Sequence, residues 1–149
     1  MGRILLAYLA AVAVTYVTAA TAHTQSVMSR LADMDAPVTV GVRASATLHD
    51  LGGMATSFLP MIAVGLAIAF PVAAAAIRRL PRWRPVGYSV AGGVAVLVIH
   101  LTLSLMFQIT PVAGARTTLG LTVQALCGGL GGWVFRICLP PRPAKADRG

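Results

Sequence analysis

The side chains able to do chemistry in this sequence are few, and equal counting places them at one level. His100 stands eight residues before Gln108, and Gln124 stands seven residues after Thr117. At 1.5 Å per helical residue those depths are about 12 and about 10 Å below the outer ends of their segments. Thr15 and Tyr16 lie at a similar count below Ala22, and Thr56 belongs to the same outer half. An imidazole, an amide, a phenol and hydroxyls at one depth form a polar layer. Arg116 and the His49-Asp50 pair fall at its outer rim, where a cation can meet an anionic group. Such a layer suits a quinone headgroup, a lipid or a small solute. Its other use is a hydrogen-bonded cluster that pins helix register, at roughly 0.6 to 2 kcal/mol per bond.

Other chemistries lack their residues. Haem b takes two axial histidines facing each other across helices, and only His100 lies within an apolar run. A zinc site takes three or four ligands, which His23, His49 and Asp50 supply only if their loop folds around the ion. Gly128-Gly129-Leu130-Gly131-Gly132 lacks the Lys-Ser/Thr of a phosphate loop, and no carboxylate pair lies in an apolar run. Cys127 and Cys138 on one helix would be about 16 Å apart, too far for a disulfide. The expectation is no catalytic residue, no metal, no cofactor and no enzymatic activity.

The elements that position this layer follow from composition. Of 149 residues, 57% are hydrophobic and 11% charged, and mean hydropathy is +0.80. A water-soluble domain carries about 25% charged residues to wet its surface. A soluble enzyme is excluded, and so is disorder, which needs low hydrophobicity and high charge. A helix needs about 20 apolar residues to cross the hydrocarbon. Four runs qualify, at 4–22, 54–77, 88–108 and 117–139. The expected fold is an all-α transmembrane four-helix bundle in a single domain, 1–139, followed by a disordered cytoplasmic tail, 140–149. A short interfacial helix is expected in the first external loop, with Thr39 as N-cap and Gly52-Gly53 as its stop. Pro60 and Pro71 are expected to bend the second span. Ala20-Thr21-Ala22 also resembles a signal cleavage site, and cleavage there would leave His23 as the N-terminus.

The net charge of +8 is distributed by topology. Arg78, Arg79, Arg82 and Arg84 crowd one short link; Arg3, Arg136, Arg142, Lys145 and Arg148 fall on the same side. Only Arg30, Arg43 and Arg116 fall on the other. Nine against three predicts both termini in the cytoplasm of a bacterial inner membrane. Trp83 and Trp133 then lie near that boundary. Because the basic residues flank apolar runs, the partner they imply is membrane lipid, not nucleic acid.

Span four carries small residues at i,i+4 spacing, Ala125–Gly129 and Gly128–Gly132, which permit close backbone approach in lipid. Span three has Ser89–Gly93 and Ala91–Ala95, and span one has Ala7–Ala11 and Thr15–Ala19. The many glycines on span four serve either packing within the bundle or, on a second small face, contact with another chain in a homo-oligomer or a membrane-protein partner. The inner half of the bundle reads as nearly all aliphatic. In size the chain is similar to the membrane-associated eicosanoid and glutathione enzymes, and Arg43-Ala44 precedes span two as an Arg-Ala pair does there. The Asn and Glu that follow in that family have no counterpart, since neither residue type occurs here. The expected function is therefore a small multi-pass inner-membrane protein, acting as a structural or accessory subunit through helix packing. The alternative is a protein that binds or transports a small ligand in the outer polar layer.

Overall fold

The computed structural model describes residues 2–107 and 117–139. Within them the chain is all-α: α1 (Gly2–Ala32), α2 (Val40–Gly53), α3 (Phe58–Arg79), α4 (Gly87–Phe107) and α5 (Thr118–Cys138), with a 3-10 turn at Pro81–Trp83 between α3 and α4. Four of these, α1, α3, α4 and α5, are long and apolar enough to cross a membrane. Large aliphatic side chains such as Leu9, Val64, Ile68, Val98, Leu101 and Leu126 are exposed. A surface of that kind belongs in lipid, and the chain is a membrane protein. The tail at 140–149 lies outside the described residues.

The first helix is longer than hydropathy alone indicated. It does not stop at Ala22 but continues to Ala32, and its 31 residues span about 46 Å against a hydrocarbon thickness of about 30 Å. No helix breaker intervenes before Pro37, so the polar stretch after Ala22 leaves the lipid still helical. Its end is a Schellman turn: Ala36 N–H bonds Leu31 O at 3.1 Å and Asp35 N–H bonds Ala32 O at 3.1 Å. Asp35 takes the left-handed conformation, φ 59°, that usually falls to glycine.

The chain then reverses into α2, where Thr39 is the N-cap and its hydroxyl accepts from Val42 N–H at 3.3 Å. This helix buries none of its own residues. It lies against the C-terminal part of α1, the end of the bundle termed outer, held by polar bonds described below. The second span begins at Phe58, not Met54, because Met54–Ser57 form the turn out of α2. Pro60 therefore sits in the first turn of α3, where a missing N–H costs nothing, and only Pro71 interrupts the helix interior.

Packing is most extensive between α4 and α5 and between α1 and α5, with α3 more loosely set against α4 and α1. Glycine explains the first pair. A Cβ on Gly92 would run into the carbonyl of Gly128, and one on Gly132 into the carbonyl of Tyr88. The other side of α5 meets α1: a Cβ on Gly131 would collide with Thr15 Oγ1 and lie 2.9 Å from Ala11 O. Both small faces of α5 are thus used within the chain. Of the two uses open to the second small face, packing within the bundle is the one seen here, against α1.

The inner half is not aliphatic as read. Phe70 of α3 stacks on Phe135 of α5, with centroids 4.2 Å apart and planes at 16°. Tyr88 of α4 stands edge-on to both, at 6.0 and 5.2 Å, and Tyr8 of α1 stands edge-on to Phe70 at 6.5 Å. Each spanning helix contributes one ring. Single aromatics scattered over four segments leave no local pattern, and only packing assembles them.

Candidate functional site: a buried polar column and two lateral clefts

His100 and Gln124 are 2% and 1% exposed, so both turn inward from lipid. They do not bond each other. Gln124 Nε2 donates to Ala19 O of α1 at 3.1 Å. His100 Nδ1 lies 2.8 Å from Val96 O one turn back on its own helix. A carbonyl only accepts, so Nδ1 carries the hydrogen there. The ring of His100 also stands edge-on to Phe58 at 5.8 Å, and Phe58 meets Tyr16 at 6.5 Å.

Depth differs from the equal counts. The glycine contacts set Gly92 against Gly128 and Tyr88 against Gly132. Continued outward, that register puts Gln124 level with Val96 and His100 level with Gly120. His100 therefore stands about one turn, roughly 6 Å, outside Gln124. Thr15, packed on Gly131, lies about one turn inside Ala19 and hence inside Gln124. The layer is a column of three steps. Close backbone contact sets the register of α4 and α5, whereas the count assumed that their ends share a membrane surface.

Three buried atoms along this column have no hydrogen-bond partner among the described residues: Thr15 Oγ1, Gln124 Oε1 and His100 Nε2. Polar groups left so are costly in a low-dielectric interior. Above them the outer end is well bonded. The Tyr16 hydroxyl donates to Leu51 O, and Thr24 Oγ1 donates to Asp50 Oδ2 at 2.8 Å. Gln25 Nε2 donates to Thr47 Oγ1 at 3.2 Å, and Arg43 Nη1 donates to Gln25 Oε1 at 3.0 Å. His23 lies within electrostatic reach of Asp50 and His100.

Of the residues singled out from sequence, Thr15, Tyr16, His100 and Gln124 are buried in the column and Asp50 closes its outer end. His49 and Thr56 are exposed, on α2 and in the turn before α3, and Arg116 lies outside the described residues. Ala125 and Gly129 join Gly128 and Gly132 on the α4 side: a Cβ on Gly93 would lie 3.0 Å from Ala125 O, and one on Gly129 3.5 Å from Ser89 O. Thr24 and Gln25 carry no hydropathy signal, because they follow the apolar run that ends at Ala22. The buried series Val12, Tyr16, Ala20, Thr24 repeats every fourth residue, and extending that stripe finds Thr24. Among the described residues, no group of three His, Cys, Asp or Glu could hold a metal ion.

Two clefts open on the sides of the bundle, and neither is walled by the column. A groove of about 1050 Å³ runs between α3 and α4 from Pro60 to Leu80. Small residues at i,i+4 spacing line both walls, Gly65, Ala69 and Ala73 on α3 and Gly87, Ala91 and Ala95 on α4. The second, about 970 Å³, lies between α1 and α3 and ends at Arg84 and Arg136. No described protein family matches the chain, and neither does any curated protein or solved structure.

Proposed function

We propose that the protein is a non-enzymatic structural or accessory subunit of a bacterial inner membrane, with both termini cytoplasmic. It accepts a transmembrane helix of another membrane protein in the α3–α4 groove. The observation that carries this reading is the pair of small-residue ladders in that groove. In lipid, helix association depends on close packing, and small residues four apart provide it. The groove extends over about 20 residues of α3, the length of a full span. The small faces of α5 are filled by α4 and α1; in the α3–α4 groove Gly65 and Gly87 are met by the Ile99 and Ile77 side chains, so a partner helix would pack beside them, over the half-buried Ala69 and Ala91. The orientation rests on the arginines. Arg136 Nη1 bonds Pro85 O at 3.0 Å, so Arg78, Arg79, Arg82, Arg84 and Arg136 gather at one end of the bundle, the cytoplasmic one by the positive-inside rule.

A second reading is favoured by the unpartnered atoms of the column, which offer two acceptors and a hydroxyl to a small polar ligand. Purification in mild detergent with mass spectrometry separates the two. A stoichiometric membrane-protein partner, lost in Ala91→Phe and kept in Leu126→Phe, supports the groove. A second copy of this chain lost in the same variant places a homo-oligomer there. A monomer carrying a small molecule that is unchanged by Ala91→Phe and lost in Gln124→Leu overturns it in favour of the column.

A further inference from the structure

The α1–α3 cleft differs from the α3–α4 groove in carrying charge at one end. We propose that it binds a single membrane lipid with an anionic phosphate headgroup, from the leaflet on the arginine-rich side. The acyl chain lies between α1 and α3, and the phosphate meets Arg84 and Arg136. This rests on a different observation from the groove and stands or falls without it.

Three features support the assignment. First, the cleft is lateral, and its volume of about 970 Å³ lies in the range of sites that enclose a ligand. Its inner wall is the aromatic block of Tyr8, Phe70, Tyr88 and Phe135, a surface suited to an alkyl chain.

Second, both arginines stand where a headgroup would be. Arg136 Nη1 donates to Pro85 O at 3.0 Å, which ties its guanidinium to the link that carries Arg84. A guanidinium has five donors, and one backbone carbonyl occupies only one. The rest suit phosphate oxygens, which arginine engages two at a time.

Third, the charge at this end is uncompensated by the described chain. The sequence has four acidic residues, all Asp. Asp33, Asp35 and Asp50 lie at the opposite end, beyond or beside the outer part of α1, and Asp147 falls outside the described residues. Basic pockets between membrane helices are suited to acidic lipid headgroups for this reason.

Native mass spectrometry from nanodiscs of mixed phosphatidylglycerol and phosphatidylcholine tests the proposal. The wild-type protein is expected to retain one phosphatidylglycerol in preference to phosphatidylcholine. Arg84→Gln with Arg136→Gln should reduce that preference by roughly tenfold or more. Arg78→Gln with Arg79→Gln, which alters the same end outside the cleft, should preserve it. Ala74→Phe fills the cleft with both arginines intact and should also abolish retention; circular dichroism confirms that each variant is folded. Excess inorganic phosphate should not displace the lipid, because the chain contributes to binding. Equal retention of both lipids by the wild type, loss on adding phosphate, or unchanged preference in either the double Arg84/Arg136 variant or Ala74→Phe overturns the site.

Discussion

Gly92 and Gly128 meet backbone to backbone: a Cβ placed on either would run into the carbonyl oxygen of the other. The nearest atom met is a backbone oxygen on both sides, which no rotamer change can move, and Val96 Cγ2 also lies 2.6 Å from the Gly128 Cβ position. Overpacking of this kind costs about 1 to 3 kcal/mol. Gly92→Ala and Gly128→Ala should each lower stability by that order, and Gly128→Leu by more. Gly53, which has nothing within 4 Å of its Cβ position, should accept Ala with little change. Thermal unfolding in a mild detergent reads the difference. Equal midpoints for Gly128→Leu and wild type would remove close approach as the basis of the α4–α5 contact.

Gln124 makes one bond across to Ala19 O and leaves Oε1 without a partner. Gln124→Leu loses the first and relieves the second. The two effects oppose, and the net cost should stay below about 1 kcal/mol. A Phe70→Ala change at the aromatic block should cost about 3 to 5 kcal/mol, since it opens a cavity among three rings. Denaturation of both variants in the same detergent checks the order. A Gln124→Leu loss larger than that of Phe70→Ala would show that the column, not the aromatic block, dominates the core.

The hydrogen bond from Thr24 to Asp50 joins the outer part of α1 to α2, which has no buried residue of its own. Asp50→Ala should release α2, raising amide exchange over residues 40–53 while α4 and α5 stay protected. Unchanged exchange in α2 would mean that the Tyr16–Leu51 bond and the Gln25, Thr47 and Arg43 group hold it without Asp50.

The first helix should persist in the mature protein. Ala7, Ala11, Thr15 and Ala19 are buried, and Thr15 and Ala11 fill the space that Gly131 leaves. Intact-mass measurement is expected to find α1 attached. An N-terminus at His23 would refute this and leave the α1 face of α5 uncovered.

Topology is checked by cysteine labelling in a background with Cys127 and Cys138 replaced by Ala. Asp33→Cys should react with an impermeant reagent from outside, and Arg82→Cys only after the membrane is opened. The reverse result would invert the bundle.

Much of the fold is written in the sequence because each spanning helix must supply its own run of apolar residues, and the cap at Thr39 has a local signature. The end of α1 is not, because hydropathy reports where lipid ends and not where a helix does. Among site residues, burial of His100 and Gln124 follows from the cost of facing lipid. Their relative height does not, since it depends on which carbonyl each glycine of α5 meets across the interface. Tyr8, Phe70, Tyr88 and Phe135 were invisible as a group for a related reason: a contact among four helices has no spacing in one of them. Arg84 and Arg136 carried a topology signal strong enough to conceal any other use of their charge.

The glycine seam has a mechanical consequence. With backbone against backbone, α4 and α5 form one stiff plank, and α1 is keyed to it through Gly131. The least tightly packed spanning helix is α3, which has a cleft on each flank and Pro71 in its interior. An acyl chain on one side and a partner helix on the other would lean on the same lever. Occupancy of either cleft would then change affinity at the other by an equal factor, since linkage is reciprocal. Lipid retention compared with and without the bound partner measures that factor; a ratio of one would mean that α3 is as rigid as its neighbours.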